Sequence, residues 1–187
     1  MTQLVLLTSH YPYYPGEQFL EQEVPYLVGE FDRVVVVPID LSKSDGLRRA
    51  IPAGAELVHM LQPRDPRVRS VGKRVAASFT ERIARVGLPH KTALDLRFST
   101  TALGMFDRVS AALDDVGIVR SEPTVTYGYW LFKQAAVASL LSKKHFTGRS
   151  VAVSRAHGSD VYRHRGILGY LPARKFLVQH LDHLYPI

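Results

Sequence analysis

Two short runs, Leu4–Leu7 and Val34–Val37, are apolar at every position. Residues that end regular structure bound each of them. Ser9-His10-Tyr11-Pro12 follows the first, and the polar, Gly- and Pro-containing stretch Asp40–Gly54 follows the second. A strand with one wet face alternates apolar and polar residues, whereas a strand that is apolar throughout is covered on both sides. Neither run approaches the roughly 20 residues that span a bilayer. The runs therefore require a sheet interior with other elements packed on both of its faces.

The rest of the chain supplies those elements. Glu17–Phe31 sets Leu20, Val24, Leu27 and Phe31 at helical spacing, and Pro25 predicts a kink or a restart within it. Val34–Ile39 is the second strand and Glu56–Leu61 a weaker third. Over Pro66–Val86, Val68, Val71, Val75, Phe79, Ile83 and Val86 recur at steps of three or four. Arg67, Arg69, Lys73, Arg74, Arg82 and Arg85 lie between them, which describes a basic amphipathic helix. Thr92–Val116 is a second long helical stretch, with a break expected near Gly104. Pro123–Thr126 and Ser150–Ser154 read as strands, Leu131–Ser142 and Pro172–Leu181 as helices, and His183–Ile187 as a last strand. Strands that alternate with helices predict an α/β domain. The expected fold is a doubly wound, mostly parallel, Rossmann-like sheet with helices on both faces, one domain across residues 1–187.

Charge is unevenly spread over the 187 residues, whose net charge is +7. Residues 1–42 carry one base and six acids (−5), 43–110 thirteen and six (+7), and 111–187 ten and five (+5). The basic middle suits phosphates, nucleic acid or an anionic membrane surface, and equally a solvated face with no partner. No nucleic-acid motif is present, and the aromatics are not interleaved with the basic segment, so no specific nucleic-acid partner is expected. The chain has no cysteine, which excludes a disulfide scaffold, a thiolate metal site and a Cys nucleophile. It has no asparagine either, hence no N-glycosylation acceptor. Both facts fit a cytoplasmic, reducing setting better than secretion. Leu4–Thr8 is too short and too early for a signal peptide and lacks a basic flank.

Ligands of open α/β sheets bind beyond the carboxyl ends of the strands, near the point where strand order reverses. Three loops with unusual content leave those ends. In the first, Ser9–Glu17, Gly16 permits close backbone approach and the following helix offers free N–H groups to an anion. Glu17 and Glu21, expected in the same first turns, would repel one, and a plain turn at the helix start is the alternative. The second, Tyr127-Gly128-Tyr129-Trp130, suits a sugar face or a nucleobase, and equally the edge of a core. The third, Ser154-Arg155-Ala156-His157-Gly158-Ser159-Asp160, is the richest. His157 can bond a hydroxyl or a phosphate, Asp160 can orient it or bind hydroxyls, and Gly158 permits a tight turn. No G-x-G-x-x-G, Walker A or G-x-S-x-G pattern occurs, which leaves dinucleotide, P-loop and serine-hydrolase readings without support. His180 and His183 read as surface residues, so no metal site is expected.

The segment His10-Tyr11-Pro12-Tyr13-Tyr14-Pro15-Gly16-Glu17-Gln18-Phe19-Leu20-Glu21 and its continuation to Leu27 resemble the start of bacterial family-four glycosyltransferases of the GT-B fold. Ser154-Arg155-Ala156-His157-Gly158-Ser159-Asp160-Val161-Tyr162, followed by Pro172-Ala173-Arg174-Lys175-Phe176, resembles a segment of members that build surface polysaccharides. Leu181–Ile187 resembles the strand that leads from the N-terminal domain toward the C-terminal one. These matches cover about a third of the chain, and residues 40–122 match only in layout.

The resemblance implies a retaining hexosyltransferase that moves a sugar from a nucleotide-sugar to a glycan or lipid-linked acceptor. It implies His157 as the group that contacts the transferred sugar. Tyr14, Gly16, Glu17, Tyr129, Arg155, Gly158 and Asp160 are the substrate-binding residues it implies. It also implies independence of metal and of any cofactor besides the donor substrate. The nucleotide-binding C-terminal domain of the family, with its E-x7-E element, has no counterpart in these residues. The chain is accordingly expected to be the acceptor-side half of such an enzyme, inactive by itself and completed by a donor domain. Lipid-linked acceptors would give the 66–86 helix a place on the anionic inner face of the membrane, as a peripheral contact. The competing expectation is a non-catalytic α/β ligand-binding or regulatory module.

Overall fold

The computed structural model describes residues 1–40, 46–60, 89–162, 164 and 169–186. Six strands form one sheet: β1 (Gln3–Thr8), β2 (Arg33–Pro38), β3 (Ala55–Leu57), β4 (Thr124–Gly128), β5 (Ser150–Ala156) and β6 (His183–Pro186). Their order is β3-β2-β1-β4-β5-β6, and all neighbours are parallel. The two apolar runs lie side by side in register, Leu4 opposite Val34 and Leu7 opposite Val37. Every residue of β1 is buried, as a central strand covered on both faces must be.

The helices are α1 (Leu20–Glu30), α2 (Pro89–Asp115), α3 (Lys133–Lys144), the short α4 (Gly158–Val161) and α5 (Arg174–His180). Period-two alternation along each strand divides the core between them. Leu4, Leu6, Val34 and Val36 face α1 through Leu20 and Val24. Val5, Leu7, Val35 and Val37 face α2 and α3 through Val109, Leu113, Val137 and Leu141. Ala152 and Ala156 of β5 pack on α3 and on Leu177 of α5. The sheet is thus doubly wound, with helices on both faces, as the alternation predicts. No described helix is long and apolar enough to cross a membrane.

Several local expectations need correction. Pro25 sits inside one continuous α1 and starts no new helix. Gly104 does not break α2, because its neighbours Leu103, Met105 and Phe106 are all buried in the core. That burial outweighs the roughly 1 kcal/mol that a helical glycine costs. The third strand is shorter than expected, Ala55–Leu57. The basic helix expected over Pro66–Val86 lies outside the described residues.

The order reverses between β1 and β4, so the loops that leave these two strands part to opposite sides of the sheet. At Gly128 the end of β4 runs against the start of α3. A Cβ there would lie 2.6 Å from the backbone of Ala135, so only glycine fits. This contact fixes where the chain emerges as Tyr129 and Trp130.

Candidate functional site

The loop after β1 is organised around Glu17. Gly16 has φ +92° and Glu17 φ +53°, a left-handed pair that turns the chain back on itself before α1 begins at Leu20. Glu17 is therefore not in the first turn of α1, and its carboxylate faces the loop. Oε1 accepts the amide of Ser9 at 2.8 Å, and Oε2 accepts those of His10 and Tyr11 at 2.6 and 2.7 Å. The Trp130 indole N–H donates to Oε1 at 2.6 Å. This last bond joins the β1 loop to the β4 loop across the switch point.

The β4 loop is tied to the β5 loop just as closely. The amide of Leu131 donates to Asp160 Oδ2 at 3.2 Å, and Arg174 Nη1 donates to the Leu131 carbonyl. The Asp160 amide donates to the His157 carbonyl at 2.9 Å, which ties the two residues through their main chains. Burial pushes the Asp160 carboxyl up, and the main-chain groups of Leu131 and His157 and the Arg174 guanidinium pull it back. Burial likewise lowers the pKa of Arg174.

His157 rests against the aromatic pair that leaves β4. Its ring centroid is 4.3 Å from Trp130 and 5.1 Å from Tyr129, and these two rings meet edge to face at 5.4 Å. Tyr129 belongs to the core at 1% exposure, while Trp130 is half-buried and faces a recess. Burial also raises the Tyr129 hydroxyl pKa. The recess holds about 190 Å³ and is lined by Ser9, Asp40, Trp130, Lys133, Gln134 and Asp160, among others. Gln134 donates to Ser9 Oγ at 2.6 Å. Among the described residues, Gln134 Oε1, His10 Nε2 and His157 Nε2 are buried without a hydrogen-bond partner. Buried polar atoms of this kind are satisfied by water or by a ligand.

The structure thus brings His157, Tyr129, Asp160 and Glu17 into one cluster, with Trp130 at its centre. Gly158 starts α4 directly after His157, and Gly16 shapes the β1 loop. The remaining two expected residues are engaged by other partners. Tyr14 is 41% exposed, and the Arg49 guanidinium lies 3.7 Å above its ring. Arg155 pairs with Glu23 of α1 at 2.8 Å, and Glu23 also accepts the Tyr127 hydroxyl at 3.0 Å. Sequence reasoning gave no ligand role to Ser9, Lys133, Gln134 or Arg174, and placed Trp130 only in an aromatic loop that suits a sugar face or a core edge. One signal was available for Trp130: it is the single tryptophan and directly follows a strand that ends at the switch point. Among the described residues, no three His, Asp or Glu side chains gather as a metal centre requires.

The arrangement can stack a flat, partly apolar ligand and exchange hydrogen bonds with its hydroxyls. Comparison with protein-family models, with curated proteins and with solved structures finds no match to this chain.

Proposed function

We propose that this chain is the acceptor-side domain of a retaining glycosyltransferase of the GT-B type. One observation carries the reading. His157, the residue that the resemblance singles out, packs on Trp130 of the β4 loop, and Trp130 both lines a recess at the switch point and bonds to Glu17 of the β1 loop. Aromatic rings beside a mix of donors and acceptors suit a sugar, which has apolar faces and a rim of hydroxyls. In this reading His157 contacts the sugar in transfer, and Asp160 holds the loop that carries it. A donor domain elsewhere in the protein binds the nucleotide and the leaving diphosphate.

The test is transfer of label from a panel of nucleotide-sugars to glycan and lipid-linked acceptors by the protein expressed from its whole coding region. The whole protein should transfer, and the 187-residue chain alone should not. His157→Ala should lower transfer by about 100-fold or more. Transfer by the 187-residue chain alone, or full activity of the variant, contradicts the proposal. A coding region that ends at Ile187 contradicts it as well and leaves the non-catalytic ligand-binding module as the account.

A further inference from the structure

A carboxylate has about four acceptor positions. In Glu17 all four are filled by protein: two N–H groups meet Oε1 and two meet Oε2, at 2.6 to 2.8 Å. The side chain is only 5% exposed. Glu17 therefore has no lone pair left for a ligand hydroxyl and little surface to meet one. Three of its four donors are consecutive amides of its own loop. The fourth, the Trp130 indole, comes from the far side of the switch point, and its ring centroid lies 4.3 Å from that of His157.

We infer that Glu17 is a positioning residue that acts on His157 through the Trp130 indole. A charge-assisted bond to a buried carboxylate is about twice as strong as a neutral one. It fixes the rotation of the indole, and the indole plane in turn sets one wall of the space open to the imidazole. The conformation of the β1 loop is thereby coupled to the placement of His157, although no hydrogen bond or ring contact joins the two among the described residues. A left-handed φ of +53° at a residue other than glycine costs free energy. The four bonds that this turn lets the carboxylate make offset that cost. The inference builds on the functional reading only in treating His157 as the ligand-facing group. The geometry it asserts stands or falls separately.

The test is nuclear magnetic resonance of the labelled 187-residue chain, in which Trp130 gives the single indole N–H signal. That signal should exchange slowly with solvent, and the His157 ring protons should be displaced by the indole ring current. Glu17→Gln should release the indole, speed its exchange and collapse the His157 displacement while signals near His145 hold still. Trp130→Phe keeps an aromatic ring but deletes the donor, so the amides of Ser9, His10 and Tyr11 should shift. This second variant serves if Glu17→Gln fails to fold. In the Trp130→Phe background, Glu17→Gln should move His157 no further. Rapid indole exchange in the unmodified chain overturns the inference. So does an unmoved His157 in a folded Glu17→Gln variant, or unmoved Ser9–Tyr11 amides in Trp130→Phe. None of these outcomes depends on sugar transfer, so a failure here is distinct from a failure of the functional reading.

Discussion

His145 and His157 sit at opposite ends of the same sheet, and their surroundings differ in kind. His145 closes α3 at the amino end of the strands, 3% exposed, with Phe146 edge-on at 4.9 Å and Asp114 at 3.8 Å. Burial pushes its pKa down to about 4, the Arg120 guanidinium adds to this, and Asp114 opposes it. It is a neutral packing residue walled in by ordered structure. His157 stands at the carboxyl end, half-buried, held by its main chain to Asp160 and by its ring to Trp130, beside a recess. Each ring leaves Nε2 buried without a hydrogen bond among the described residues. An unpartnered buried nitrogen is therefore not enough to mark a site. What sets His157 apart is its packing on Trp130, which ties the three strand-exit loops together.

The largest effect expected from breaking this contrast is at Gly128. An added Cβ would meet the Ala135 and Gln134 backbone at 2.6 Å, so β4 and α3 must separate. Gly128→Ala should cost about 3 kcal/mol in urea unfolding and displace the His157 ring signals. A cost within experimental error would mean that the wedge between β4 and α3 does not fix the site.

Next in size is the pH response of His145. Its folded pKa of about 4 lies below the unfolded value near 6.5, so the fold favours the neutral form. The associated stability is fully present above about pH 6.5 and is lost as pH falls toward about 4. It amounts to about 2 kcal/mol after allowance for solvent screening. Urea melts of the wild type and of His145→Gln at both ends of this window should differ by about that amount. Parallel curves would show that His145 is not held neutral by the fold.

The smallest stability effect should come from His157 itself. His157→Ala removes a half-buried ring whose Nε2 makes no hydrogen bond among the described residues, and should change stability by about 1 kcal/mol or less. A loss of several kcal/mol would make His157 a packing residue like His145 and erase the comparison.

Most of the sheet was legible in the sequence because its cause is local. Leu4–Leu7 and Val34–Val37 leave no polar face, and only a parallel interior accommodates that. Pro25 and Gly104 misled because local propensity was set against packing further along the chain, and packing prevailed. In the site, His157, Tyr129 and Asp160 could be placed by their position after strands. The role of Glu17 could not, since it follows from amides six to eight residues earlier and from an indole 113 residues later. Likewise nothing in the local pattern shows that Arg155 is taken up by Glu23, 132 residues away.

The most direct measurement is a titration of the labelled chain with simple glycosides and nucleotide-sugars, followed through the Trp130 indole and His157 signals. Saturable shifts at Trp130, His157 and Gln134 with at least one sugar, lost in His157→Ala, are the predicted result. Shifts confined to the amino end around His145, or no response to any sugar in the panel, would contradict the assignment of the carboxyl-end cluster as the ligand site.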